Sequence, residues 1–144
     1  MSDKRRGNVA IELVLTGLVL LTMLAGTVNV GHGVYRGMLV QSAAEAGALY
    51  AARFGWQRDA IADAVTGSGR HPGITATPAP VQFCGCTASS GTIVPTECVM
   101  PCSNGGDPGI YIQVNAALVH EQLLPYLGFG MPATLTGRSV IRLR

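Results

Sequence analysis

Hydrophobic and polar positions divide this chain into a helical first third and a strand-like remainder. From Leu13 to Tyr35 there are 23 residues without a charge. As a helix that run is about 35 Å long at roughly 1.5 Å per residue, enough to cross a bilayer core of about 30 Å with some tilt. The segment from Met38 to Phe54 is rich in alanine and continues the same helix. Small residues recur there every fourth position: Ala43, Gly47 and Ala51, then Ala44, Ala48 and Ala52, with Gly33 and Gly37 doing the same upstream. That spacing lets another backbone approach closely, so Gly33, Gly37, Ala43, Gly47 and Ala51 are read as helix-packing positions. Gly55 stands where a C-terminal stop is expected.

Gln57–Thr66 reads as a short second helix, with Ala60, Ile61, Ala64 and Val65 on one apolar stripe and Gln57, Arg58, Asp59 and Asp63 outward. Gly67-Ser68-Gly69 closes it, and Trp56 at the junction is expected to anchor a core or interface. Beyond Gly73 the period shortens to that of strands. Ile74–Phe83 carries Pro78 and Pro80, which confine it to an edge or irregular strand. Gly109–Val119 alternates cleanly through Ile110, Ile112, Val114, Ala116 and Leu118, and Ala133–Arg144 alternates less strictly. Gln122–Pro132 between them is broken by glycine and proline, and is expected to be a compact crossover loop with one helical turn. The fold class expected is α+β: a long N-terminal transmembrane helix continuing into an exported domain, with a short helix and a small, about three-stranded antiparallel sheet packed on the long helix.

Composition agrees with a membrane segment beside one small domain. Hydrophobic residues make up 48% of the 144 and charged ones 12%, against about 25% charged in ordinary soluble chains. Lys4, Arg5 and Arg6 set against Asp3 account for the whole formal charge of +2, so no basic patch remains for nucleic acid. The same cluster flanks the apolar run and, by the positive-inside rule, keeps the N-terminus cytoplasmic and exports everything after about Arg36. A conventional secretory signal would have an apolar core of about 7–15 residues closed by a small-x-small site. Here the run is longer and no such site closes it, so the helix is read as retained.

One carboxylate, Glu12, stands at the head of the apolar segment. Mid-membrane such a charge costs on the order of 2.5–3.5 kcal/mol and usually serves a function. If the chain were cut after Gly7, Asn8 would become the first residue and Glu12 the fifth. The basic-basic-glycine block Arg5-Arg6-Gly7, the block Ala10-Ile11-Glu12-Leu13 and the small-residue helix Gln41–Arg53 together resemble the TadE-like minor pilins and pseudopilins of tight-adherence systems. Ile11 and Leu13 depart from the usual Val and Phe but keep the apolar character. The resemblance covers roughly the first 55 residues. It implies cleavage between Gly7 and Asn8 by a prepilin peptidase and residence in the inner membrane as a single-pass protein with a periplasmic or extracellular C-terminal domain. It also implies partnership with other pilins or pseudopilins and with an inner-membrane assembly platform, in pili that serve attachment and biofilm formation. Removal of seven residues leaves 137, far more than the major pilins of that system, which suits a minor component.

The role of Glu12 has a physical basis of its own. A new α-amino group at Asn8 would be largely charged, with an ordinary pKa near 7.7–8.0. Between packed helices its natural partner is Glu12 of a neighbouring subunit, a pairing that fixes register more than it stabilises. Two other readings share parts of the pattern: a membrane-anchored exported binding module that keeps residues 1–7, and a pseudopilin of a type II secretion system. The organisation expected is thus a basic leader at 1–7, a transmembrane helix at 8–37, a helix extension at 38–55 and an exported domain at 56–144.

All four cysteines, Cys84, Cys86, Cys98 and Cys102, fall in one loop on the exported side, where disulfides persist. Four cysteines permit three pairings. A direct Cys84–Cys86 bridge is strained, and hairpin closure favours the nested set, Cys86–Cys98 inside Cys84–Cys102. The spacing Cys98-x3-Cys102 suits zinc but Cys84-x-Cys86 does not, so no metal is expected here and the loop at 84–102 is read as disulfide-stapled. Catalytic patterns are incomplete. His120-Glu121 begins a zincin motif, but Leu124 occupies the second histidine position. His32 and His71 have no carboxylate or cysteine cluster at useful spacing, and the glycine-rich Gly67–Gly73 lacks the Lys-Ser/Thr of a phosphate loop. Neither an enzyme nor a cofactor is expected.

Overall fold

The computed structural model describes residues 3–68, 71–121 and 132–143, with side chains from Val9 onward. Two helices come first, α1 over Asp3–Phe54 and α2 over Arg58–Ser68; four strands follow, β1 Val81–Thr87, β2 Ile93–Thr96, β3 Gly109–Val119 and β4 Thr134–Arg142. The 52 residues of α1 contain no proline, and as one helix they extend about 78 Å. In its apolar half the hydroxyls of Thr16, Thr22 and Thr27 donate to the carbonyls of Glu12, Val19 and Met23, 2.8–2.9 Å away. Polar side chains inside an apolar run are thereby satisfied within the helix itself. Gly55 ends α1 with a φ of 81° and its N–H bound to the Ala51 carbonyl at 2.9 Å, the left-handed cap that glycine adopts without a Cβ penalty.

The strands form one antiparallel sheet in the order β2-β1-β3-β4. Alternation along β3 sends Ile112, Val114, Ala116 and Leu118 to one face, where they pack on Val40, Ala43, Ala44, Ala48 and Ala51 of α1 and on Ile61 and Val65 of α2. The α1 positions follow the three- and four-residue spacing of a single helical stripe. Each large aliphatic buried there contributes about 1.5–3 kcal/mol. Trp56 packs against this core from its edge, as its junction position led us to expect.

Small residues decide how near α1 comes to the sheet. A Cβ on Gly47 would stand 2.9 Å from Cγ1 of Val114, and one on Gly137 only 2.7 Å from the Val40 carbonyl and 2.8 Å from Cα of Gln41. Beside this contact Gln41 clasps the outer edge of β4. Its Oε1 accepts from the Arg138 N–H at 3.2 Å and its Nε2 donates to the Arg138 carbonyl at 3.3 Å. A side-chain amide thus takes the place of a neighbouring strand at an edge that would otherwise be open for pairing.

The sheet has four strands where about three were expected. The extra one, Ile93–Thr96, is four residues long and contains Pro95, too short and too broken to show alternation; it forms because the turn after β1 folds it back. The stretch Ile74–Phe83 is ladder only from Val81. Before that, a single bridge joins Thr75 to Ala117, and Nδ2 of Asn115 donates to the Pro78 carbonyl at 3.3 Å. Gly33, Ala43, Gly47 and Ala51 are buried, whereas a Cβ on Gly37 would meet nothing within 4 Å among the described residues. The crossover expected at Gln122–Pro132 lies, except for Pro132, outside the described residues.

Candidate functional site

The first half of α1 is a bare apolar rod. Leu13, Leu15, Leu18, Leu21 and Leu24 are each more than 60% exposed, and from Val9 onward the helix is long and apolar enough to cross a membrane. Because these side chains point all round the helix, what would cover them is lipid or other apolar helices. Glu12 is exposed on this rod. Its backbone carbonyl accepts from Thr16. The Gly7–Asn8 bond lies within the helical backbone of α1.

At the opposite end of the molecule the four cysteines form two disulfides, Cys84–Cys98 and Cys86–Cys102, with Cα–Cα distances of 5.1 and 5.7 Å. The pairing is crossed, not the nested Cys86–Cys98 and Cys84–Cys102 expected from hairpin closure. Strand register is the reason. Cys86 faces Val94 and Cys84 faces Thr96. Cys98 is then four residues past the partner of Cys86, about 13 Å of strand, but only two past the partner of Cys84. A disulfide spans at most about 6.8 Å between Cα atoms. The chain then turns through Glu97–Met100, closed by the Met100 N–H on the Glu97 carbonyl at 3.1 Å, and Cys102 comes back to Cys86.

Between rod and stapled loop lies a junction that sequence reasoning did not assemble. His32 of α1 and His120, just past the end of β3, have ring centroids 6.1 Å apart. Asn29, one turn before His32, is 1% exposed, and His120 is 5% exposed. Burial lowers the pKa of His120, and the charge of Arg36 followed by that of His32 lowers it further. A lone asparagine in an apolar run was the available signal for Asn29; nothing in the spacing linked positions 32 and 120.

The other sequence candidates stay apart. His71 has its Nδ1 2.8 Å from the Pro72 carbonyl in the turn after α2. Among the described residues no group of three or more His, Cys, Asp or Glu side chains could hold a metal ion. The sheet face turned away from the helices carries an open groove floored by Val81, Phe83, Ile93 and Val140 with Gln113 and Arg138 at its side, and Phe83 stacks on Tyr111 at 5.8 Å.

No curated protein and no solved structure matches the chain. Residues 7–49 match the family model described as TadE-like protein. The matched segment begins at Gly7, contains Asn8 and Glu12, runs through the apolar rod and ends inside the small-residue stripe that packs on the sheet. Over this helix the chain is similar to TadE-like proteins.

Proposed function

We propose that the chain is a minor pilin or pseudopilin acting in the assembly of tight-adherence pili. The likeness to TadE-like proteins over residues 7–49 supports a place in such a system. The observation that carries the mechanism is the division of α1: a rod apolar on all sides, continuous with a second half that forms one wall of a folded domain. A subunit built this way waits in the inner membrane by its rod and enters a filament by exchanging lipid for neighbouring helices. The domain travels with it because no joint separates the two halves of α1.

In this reading a prepilin peptidase cuts between Gly7 and Asn8, and the new α-amino group pairs with Glu12 of an adjacent subunit. Glu12 makes no ion pair among the described residues, which leaves its carboxylate for that role. An uncompensated charge between apolar helices is expensive, so misaligned subunits are rejected and the axial step is set. Other pilins or pseudopilins and the inner-membrane assembly platform are the partners. The stapled domain is displayed on the surface or caps the structure, in support of attachment and biofilm formation.

Intact mass and N-terminal sequencing of the membrane-extracted protein test the reading. An N-terminus at Asn8 that disappears when the prepilin peptidase is deleted is the expected result. A chain that keeps residues 1–7 would return the protein to an anchored exported binding module. The role of Glu12 is tested separately: Glu12→Ala is expected to leave the protein in the membrane and to remove it from sheared pilus fractions. Incorporation at the wild-type level would refute the register role.

A further inference from the structure

Five buried side-chain atoms lack a hydrogen-bond partner among the described residues: both amide atoms of Asn29, Nδ1 of His32 and both ring nitrogens of His120. They belong to one cluster. Asn29 and His32 are three residues apart on α1 and so share a face, and the His120 ring lies 6.1 Å from that of His32. A buried polar atom left unpaired costs about 1–3 kcal/mol. Native proteins keep few of them, and a cluster of them marks a bound ion, a water or a chemical role. Solvent does not reach these atoms, so bulk water does not satisfy them.

The chemistry of the donors narrows the occupant. His32 and His120 offer imidazole nitrogens without a hydrogen-bond partner, and imidazole nitrogen is the commonest metal-ligating group. Two imidazoles on one tetrahedral ion, at metal–nitrogen bonds of about 2.0–2.1 Å, put their ring centroids about 5 Å apart, and the two rings here stand within about 1 Å of that separation. An i, i+3 pair on one helix completed by a residue from another element is a recurrent way of building such a site.

We propose that Asn29, His32 and His120 form a seat for one divalent transition-metal ion of the zinc class, bound through one nitrogen of each histidine and Oδ1 of Asn29. Tetrahedral zinc takes a fourth ligand, which comes from outside this set. The ion ties the end of the apolar rod to the end of β3 and reinforces the packing of the domain on α1. No ligand is anionic and Arg36 opposes the ion, so binding is weaker than at cysteine-bearing zinc sites, and protons compete for it.

The test uses the full chain in detergent, stripped with a chelator and titrated with Zn²⁺ and then with Co²⁺. One equivalent is expected to bind at neutral pH and to raise the unfolding temperature, with two imidazoles in the X-ray absorption spectrum of the zinc form. Loss of even a supporting partner of a metal ligand costs about 10–100-fold in affinity, so His32→Ala and His120→Ala should each weaken binding by about tenfold or more. His71→Ala, in a turn after α2, should not change it. Failure of the folded wild-type chain to take up either ion would overturn the proposal, as would undiminished uptake by the doubly substituted chain. The absorption spectrum needs no variant, and a shell without imidazole would also overturn it.

Discussion

Gly137 shows how a single residue sets the distance between two layers. With only hydrogen at that position the α1 backbone reaches β4, and Gln41 gains its two bonds to Arg138. Gly137→Ala forces a methyl group against the main chain of Val40 and Gln41 and is expected to cost about 1–3 kcal/mol, the usual range for overpacking, read as a lower midpoint in denaturant. Gln41→Ala is expected to cost about 1 kcal/mol by the loss of its hydrogen bonds, measured the same way. His120 makes stability depend on pH. Unfolded, its imidazole titrates near the ordinary 6.5; folded, burial and Arg36 hold it lower. The unfolded chain therefore takes up the proton first as pH falls. The stabilising contribution is complete above about pH 6.5 and is lost progressively below it. Denaturation of the metal-free chain should show a midpoint that falls below that pH, and His120→Phe should flatten this slope. Sequence pattern picked out Glu12, the cysteines and the packing glycines one by one. It missed Asn29, Gln41 and Gly137, whose partners are remote: Gln41 and Arg138 are separated by 97 positions.

At the scale of elements, periodicity was a good guide where burial is one-sided. The apolar stripe of α2 and the alternation of β3 appear in the sequence because each element has one face on the core and one away from it. Strand β2 was illegible because its four residues owe their place to β1. The disulfides belong to the same scale, since cross-strand register and one turn select their pairing. Partial reduction, alkylation and fragmentation mass spectrometry are expected to return Cys84–Cys98 and Cys86–Cys102; nested pairs would contradict the register of the hairpin. Closing a loop of this size stabilises by about 3 kcal/mol in the chain-entropy model. The double variant Cys84→Ala/Cys98→Ala should therefore lower stability by about that amount while leaving the rod unaffected.

For the molecule as a whole, α1 is both anchor and scaffold. Val40, Ala43, Ala44, Ala48 and Ala51 supply one wall of the core, so the boundary drawn at residue 56 between helix and exported domain does not separate folding units. A fragment of residues 39–144 keeps that wall and is expected to give a cooperative unfolding transition. A fragment of residues 56–144 exposes Ile61, Val65, Ile112 and Val114 together and is expected to give none; calorimetry or circular dichroism distinguishes them. The continuous helix also means that a force or displacement on the rod reaches the domain without an intervening hinge.

The sequence alone determined the apolar rod, its continuation by small residues, the α+β class and the TadE-like character of the first third. These are local properties: hydropathy, spacing and composition act along a single segment and need no partner to be read. Tertiary structure alone decided the fourth strand, the crossed disulfides, the clasp of Gln41 on β4 and the meeting of His32 and His120. Each depends on register or on the approach of elements far apart in the chain, and such distances are set by packing, which a one-dimensional pattern does not contain.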